Sequence, residues 1–462
     1  MDHITVRHIV EAVSGTLLCG DADTELKHIS IDSRSMRGAD LFVPLIGEKS
    51  DGHRFLVQAM DNGAAAALTS EHEAAPEGFH GALIQVKDTK LALQTIGRCL
   101  RARLSIPLVG ITGSVGKTTT REMVAAALSA KYKTFKTPAN HNSQIGVPLT
   151  ISEISENDEI GVLELGMSEP GEMAVIAEIA AVDSAVMTNI GVTHIENLGS
   201  RENILKEKLH IQDGMKAGGI LFVNGDNDML STVHAKAGCH TVRYGLGADN
   251  DYRAEDLSYP DGFPSFTMVH GEVRVPVKLT VMGEHNVMNA LAALAVADAY
   301  GVPLADAAEK LLEFGGFKNR QQIYHKNGYT IVDDTYNASP DSITSNLHAL
   351  FDYPGNGRRI AVLADVLELG KDSGKLHEGI GQFIIEEQNK GRRLDYLFTV
   401  GKEAAHISDY VKAHSDIPVF SAESKDEVMK ELETKLQKED WVLVKGSRGM
   451  KMDEVVKRLI KE

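Results

Sequence analysis

Positive charge is in short supply: 48 lysines and arginines face 65 aspartates and glutamates, leaving a formal charge of −17 over 462 residues. A phosphate backbone demands a basic surface, so no nucleic-acid partner is expected. A small anionic substrate needs only a local cationic pocket and stays open. Cysteine is nearly absent. Cys19, Cys99 and Cys239 lie far apart with no C-x-x-C pair, which predicts buried thiols in a reducing compartment rather than a disulfide frame or a zinc site. Long apolar runs are missing too. Stretches such as ALAALAVA (Ala290 to Ala297) are far too short to span a bilayer, so no membrane insertion is expected. The opening MDHITVRHIVEAVSG is polar and carries acids, unlike a signal peptide, and the cytoplasm is the expected compartment.

What the chain does have is length and regular alternation. It exceeds one ordinary core and suggests about two to four domains. Residues 1–104 mix short strands and helices: ADLFVPLIG reads as a strand, HRFLVQAMDNGAAAAL as a helix leading into another strand, and DTKLALQTIGRCLRARLS as a helix. Over residues 105–314 the alternation predicts a parallel sheet with helices on both faces. There IPLVGIT, IGVLELG and SAVMTNIG are the near-continuous apolar runs of strands buried on both faces. Residues 315–462 repeat the pattern through YTIVDD, RRIAVLAD, DYLFTVG, IPVF and WVLVKG. The charged segment ESKDEVMKELETKLQKED reads as a solvated helix. ASPDS (Ala338 to Ser342) reads as a helix start, with Ser339 as cap, Pro340 in the first turn and Asp341 facing the positive end of the dipole.

Chemistry concentrates where these strands end, which is where open α/β sheets place their ligands. The segment GITGSVGKTTTREM (Gly110 to Met123) misses the strict pattern G-x-x-x-x-G-K-[ST] because Ile111 stands where the first glycine belongs. It keeps what a phosphate needs. Gly113 and Gly116 let backbone N–H groups turn inward, Lys117 brings a cation, Thr118 a hydroxyl for Mg²⁺, and the following helix its positive end. A nucleotide site is expected. Glu164 follows one apolar strand, His194 follows another, and Lys208 lies on the predicted helix SRENILKEKLHIQ. Each alone has an ordinary reading as a cap, packing residue or solvated lysine; together they point to one place. Asn286 and Asn289 share a helix face in GEHNVMNALAA, where they could read an adenine edge or cap the helix.

In order and at matching spacings, TGSVGKTTT, ELGMSEPGE, TNIGVTHIENLGS, GEHNVMNALAA, DDTYNASPDS and VLADVLELG resemble the Mur ligases of peptidoglycan synthesis over nearly the whole chain. DDTYNASPDS, TPANHNSQIGVPLT and IDSRSMRGADLFVPLIGEKSDGHRF are similar to the branch that adds D-alanyl-D-alanine to UDP-N-acetylmuramoyl-tripeptide. The D-N-P motif of the branch that adds the third residue is absent. The resemblance implies three α/β domains: a UDP-substrate-binding N-terminal domain (1–104), a central P-loop ATPase-like parallel-sheet domain (105–314), and a C-terminal Rossmann-like domain (315–462) that binds the dipeptide and closes on ATP.

It further implies residue roles. Gly113, Ser114, Val115, Gly116, Lys117, Thr118 and Thr119 would hold the ATP phosphates, with Thr118, Glu164 and His194 serving two Mg²⁺ ions. Lys208, in preference to Lys206, would carry a CO₂-derived carbamate as a further metal ligand. Lys117, Glu164, His194 and Lys208 form the catalytic set. Asn286 and Asn289 would meet the adenine end, Arg320 and Asp334 the phosphates and ribose. Asp32, Ser33 and Arg34 would hold the UDP part, and Asn140, Asn142, Tyr336 and Asn337 would complete the substrate contacts. Ser143 and Ser339 stand where this branch often has Asn, Asn319 where Gly is common, and Lys49 where Arg is common. The implied activity is an ATP-dependent, monomeric C–N ligase working through an acyl phosphate. Two rivals remain: another enzyme of the superfamily, such as an amino-acid-adding ligase or folylpolyglutamate synthase, and a P-loop nucleotide switch. A guanine-binding switch should carry N-K-x-D, which NKGR at Asn389 does not match.

Overall fold

A computed structural model describes residues 1, 3–47 and 50–461; Lys49 lies outside the described residues. Three larger sheets follow one another along the chain. The first has five strands, all parallel except where Thr16–Cys19 pairs antiparallel with Ala82–Gln85. The helix Thr89–Arg103 follows it, capped by the Asp88 carboxylate, which accepts from Leu91 N–H. Its buried face carries Leu93, Ile96 and Leu100, and these pack into one core shared with Val147, Leu163 and Ile179 of the middle region. Cys99 falls on the opposite side of that helix and is exposed, while Cys19 and Cys239 are half-buried. The expectation of buried thiols is thus corrected: all three are free, but helical spacing turns Cys99 outward.

The middle sheet has nine strands. Third from one edge, Leu108–Thr112 lies between Ile160–Glu164 and Ser184–Met187, every residue buried and every pairing parallel. Those three strands deliver the phosphate loop, Glu164 and the segment leading to His194 to one edge. Beyond Tyr252–Ser258 the order changes, because Ser265–His270 and Val273–Lys278 add as an antiparallel hairpin around a left-handed Gly271. Two helices, Lys117–Leu128 and Glu284–Ala299, pack on one face. The run ALAALAVA is fully buried there, which explains a helix apolar on all sides.

The third sheet has six strands, antiparallel only at the edge strand Gln322–Lys326. Its two faces carry separate cores, one around Ile343, Leu347 and Leu363 and one around Val428, Val444 and Val455. The helix start read in ASPDS is present: Ser339 Oγ accepts from Ser342 N–H at 3.2 Å and Pro340 opens the helix Pro340–Asp352. The charged helix is shorter than its composition suggests. It ends at Lys435, where Leu436 turns extended and Asp440 Oδ2 takes the N–H of Gln437 at 2.7 Å. Among the described residues no helix is long and apolar enough to cross a membrane.

Candidate active site

A cavity of about 490 Å³ opens between the middle and third regions. One wall begins with the phosphate loop. Gly113 has φ +150°, and a Cβ there would stand 1.9 Å from Thr188 Oγ1, so no side chain fits. Gly116, at φ +86°, precedes the helix Lys117–Leu128. The loop is braced from the neighbouring strand end: Thr188 Oγ1 donates to Val115 O at 2.5 Å, Val115 N–H to Asn189 Oδ1 at 2.8 Å, and Gly191 N–H to Ser114 Oγ at 2.9 Å. Lys117 Nζ folds back onto Gly113 O at 2.8 Å. Desolvation pushes its pKa down, opposed by Glu164, with Arg320 adding to the fall. Ser114 to Thr119 line the cavity, whereas Gly113 does not.

Glu164 is buried at its strand end. It accepts from Asn142 Nδ2 at 2.8 Å and from Arg121 Nη1 at 3.2 Å, and its own N–H donates to Thr137 Oγ1. Arg121 is the cation the sequence reading missed. It lies one helical turn after Lys117, fully buried, and also donates to Glu122 and to Ala139 O. Its place in TTTREM is the signal that could have marked it.

Thr118, Glu164 and His194 line the same cavity. A hydroxyl, a carboxylate and an imidazole leave room for the water and phosphate ligands that Mg²⁺ prefers, so the donor set fits that ion. Among the described residues no group of three or more His, Cys, Asp or Glu side chains stands together as a ready-made metal cage. His194 Nδ1 lies 2.6 Å from Glu368 Oε2 in the third region. That hydrogen bond holds the Glu368 carboxyl below the usual carboxylate range.

Lys208 and Lys206 part clearly. Lys206 is exposed, whereas Lys208 is 1% exposed, and neither is part of the cavity lining. Burial drives the Lys208 pKa well down, and the nearby Lys117 cation drives it further. Only Glu207 opposes the fall, and its carboxylate also takes Met173 N–H at 2.9 Å.

The opposite wall comes from the third region. Asp334 accepts from Lys445 Nζ and Asn346 Nδ2 through one oxygen and from Gln321 N–H at 3.2 Å through the other. Gln321 donates to Asn346 Oδ1 at 2.6 Å and accepts from Asn286 Nδ2 at 3.2 Å. Asn286 in turn accepts from Asn289 Nδ2 at 3.0 Å, and Asn289 from Thr120 Oγ1 at 2.9 Å. The two asparagines therefore join a buried chain between the walls; the helix cap is Gly283, and neither side chain caps. The Arg320 guanidinium lies 4.1 Å over the Tyr336 ring, and Arg448 Nη1 donates to Tyr336 Oη at 3.2 Å. Asn337 O accepts from Lys445 Nζ at 3.0 Å. Lys445, Arg448, Gln321 and Asn346 were absent from the sequence reading.

Asn140 lines the cavity; Asp32, Ser33 and Arg34 do not. In the first region Arg34 closes a two-pronged pair with Asp32 at 2.9 and 2.7 Å, drawing the Asp32 carboxyl down to about 2, while Ser33 Oγ donates to Gln58. The departures at Ser143 and Ser339 have local uses, since each hydroxyl accepts from the N–H groups that open a helix. Asn319 sits at φ +59°, a conformation Asn tolerates better than most residues.

Comparison with known proteins accords with this architecture. Residues 25–102 match the Mur ligase family catalytic domain, 111–297 the Mur ligase middle domain, and 319–448 the Mur ligase glutamate ligase domain. The chain is 38% identical to the UDP-N-acetylmuramoyl-tripeptide–D-alanyl-D-alanine ligase of Bacillus subtilis, over 99% of this chain and 98% of that protein. MurF from Acinetobacter baumannii superposes with a TM-score of 0.89 at 28% identity, covering 99% of both chains. MurF from Thermotoga maritima in complex with ADP superposes at 0.83 with 30% identity, over 94% of this chain and 97% of that one. The chain belongs to the Mur ligase family.

Proposed function

We propose that this protein is an ATP-dependent amide ligase that joins D-alanyl-D-alanine to UDP-N-acetylmuramoyl-tripeptide, giving the UDP-pentapeptide used in peptidoglycan synthesis. The observation that carries the reading is the single cavity shared by the phosphate loop and by Arg320, Asp334 and Lys445 of the third region. It is supported by the D-alanyl-D-alanine ligase named above and by the ADP held in the Thermotoga maritima relative.

In this reading residues 1–104 hold the UDP end through Asp32, Ser33 and Arg34, residues 105–314 hold ATP, and residues 315–462 receive the dipeptide. Asn140, Asn142, Tyr336 and Asn337 steer the tripeptide carboxylate toward the γ-phosphate, and Asn286 and Asn289 meet the adenine. The carboxylate attacks the γ-phosphorus, ADP leaves, and the dipeptide amine displaces phosphate from the acyl phosphate. Lys117 and the loop N–H groups neutralise charge building on the transferred phosphoryl group. Thr118, Glu164 and His194 would hold Mg²⁺, which supplies further neutralisation of phosphate charge when bound. The neutral amine is the form that combines with CO₂, and burial shifts Lys208 toward it, so Lys208 is suited to become a carbamate, an anionic ligand where a cation would be repelled. Closure of the third region on the middle one shields the acyl phosphate from water. In this reading the protein acts as a monomer, and its three free cysteines suit a cytoplasmic setting.

Incubation with ATP, UDP-tripeptide and either D-alanyl-D-alanine or a free amino acid tests the assignment. The expected result is UDP-pentapeptide and ADP in equal amounts with the dipeptide alone. Consumption of L-lysine, diaminopimelate or glutamate instead would overturn it, and so would ATP turnover independent of both acceptors.

A further inference from the structure

Glu368 belongs to the third region, in the segment VLADVLELG, yet its side chain points at His194 of the middle region. A carboxylate only accepts hydrogen bonds, so at 2.6 Å the imidazole Nδ1 must carry the hydrogen. In a neutral ring that leaves Nε2 as the lone-pair nitrogen, and among the described residues no hydrogen bond occupies it. His194 itself lines the cavity.

Both partners are in the left-handed region, His194 at φ +64° and Glu368 at φ +65°. Residues with side chains occupy that region rarely, and strain of this kind persists where surrounding structure enforces it. The surroundings here do so from both sides. Glu368 O accepts from Glu196 N–H at 3.3 Å, and Val192 and Ile195 pack against the apolar core of the third region. The loop that carries His194 is therefore held by the region that must close over it.

We propose that Glu368 is a positioning residue: on closure it fixes His194 in the Nδ1–H form and turns the Nε2 lone pair toward the metal site of the cavity. The metal part of this inference rests on the proposed ligase reading; the hydrogen-bond part does not. Docking of the third region would then complete a metal ligand as well as add substrate contacts, so an open enzyme holds its ion weakly. Carboxylate partners of ligating histidines commonly act this way, and their loss costs about 10- to 100-fold in metal affinity.

The test uses Glu368→Asn, which suits a left-handed backbone but is one methylene too short, and Glu368→Gln, which keeps an acceptor oxygen at full reach. Imidazole ¹⁵N spectra of the full chain at about pH 9, where a free imidazole is neutral, report the tautomer. His194 is assigned by its loss in His194→Gln. The expected result is Nδ1–H in the native protein and in Glu368→Gln, and a shift to Nε2–H in Glu368→Asn. Mn²⁺ titration by electron paramagnetic resonance with a non-hydrolysable ATP analogue should show about tenfold weaker binding in Glu368→Asn alone. An unchanged tautomer in Glu368→Asn, or Mn²⁺ affinity within about twofold of native, would overturn the proposal. Activity loss with both readouts unchanged would also overturn it, by reducing Glu368 to an ordinary interface residue. Failure to make the UDP-pentapeptide would sink the ligase reading and leave the tautomer result standing.

Discussion

The middle-region wall of the cavity is shaped by main chain, whereas the third-region wall is built from side chains bonded to one another. In the first, Gly113 and Gly116 shape the loop, and a single added Cβ at Gly113 would collide with Thr188. In the second, Asp334, Lys445, Asn346 and Gln321 support each other in one network. A backbone cradle is set once its strand and helix have formed. A side-chain network fails wherever one member is removed, because the others are left buried without partners. The comparison therefore predicts chemical defects with the fold intact on one wall and coupled losses of stability and function on the other.

Lys117→Ala should mark one extreme, lowering kcat by about 10³-fold with an unchanged melting temperature. A parallel fall in stability would show that the loop depends on its side chains after all. Lys208→Ala should remove most activity, with partial return on adding bicarbonate or a short carboxylate. Full activity in that variant would refute a carbamate. On the other wall, Lys445→Met takes the balancing cation from the Asp334 carboxylate and should destabilise the protein by about 3 kcal/mol in urea unfolding, with a raised KM for ATP. Ser339→Ala, which removes a helix cap on the cavity wall, should cost about 1 kcal/mol.

The smallest expected effect concerns Asp341, whose buried carboxyl has its pKa raised chiefly by desolvation, and whose Oδ2 has no partner among the described residues. A carboxyl with a raised folded-state pKa binds more protons folded than unfolded. Its contribution to stability therefore falls as pH rises from about 4, the unfolded value. Asp341→Asn has no such proton. Its melting temperature relative to the native protein should climb between about pH 3 and pH 7, and a flat difference would contradict the assigned burial.

How legible each wall was follows from the same contrast. Local pattern announces a backbone cradle, so GSVGKT, the buried strands around it and the Ser339 cap could all be read from short stretches. The network across the cavity has no such signature. Lys445 and Gln321 are far apart in sequence, and Asp334 meets Lys445 only because Tyr329–Asp334 and Trp441–Lys445 are paired in parallel. Arg121 escaped for another reason, since an arginine in a helix reads as solvated until the packing shows it buried against Glu164. The antiparallel hairpin at residues 265–278 lay hidden inside an alternation that looked wholly parallel. Glu368 stood within a motif that carried the family resemblance, but nothing local connected it to His194.

In the proposed reaction the cavity places a peptide carboxylate on the γ-phosphate of ATP. Tripeptide labelled with ¹⁸O in its terminal carboxylate tests that claim most directly, because attack by a carboxylate oxygen and later release of phosphate move one label into phosphate. Mass spectrometry should find one ¹⁸O in each phosphate formed with the UDP-pentapeptide. Phosphate free of label, with amide product still accumulating, would rule out an acyl phosphate.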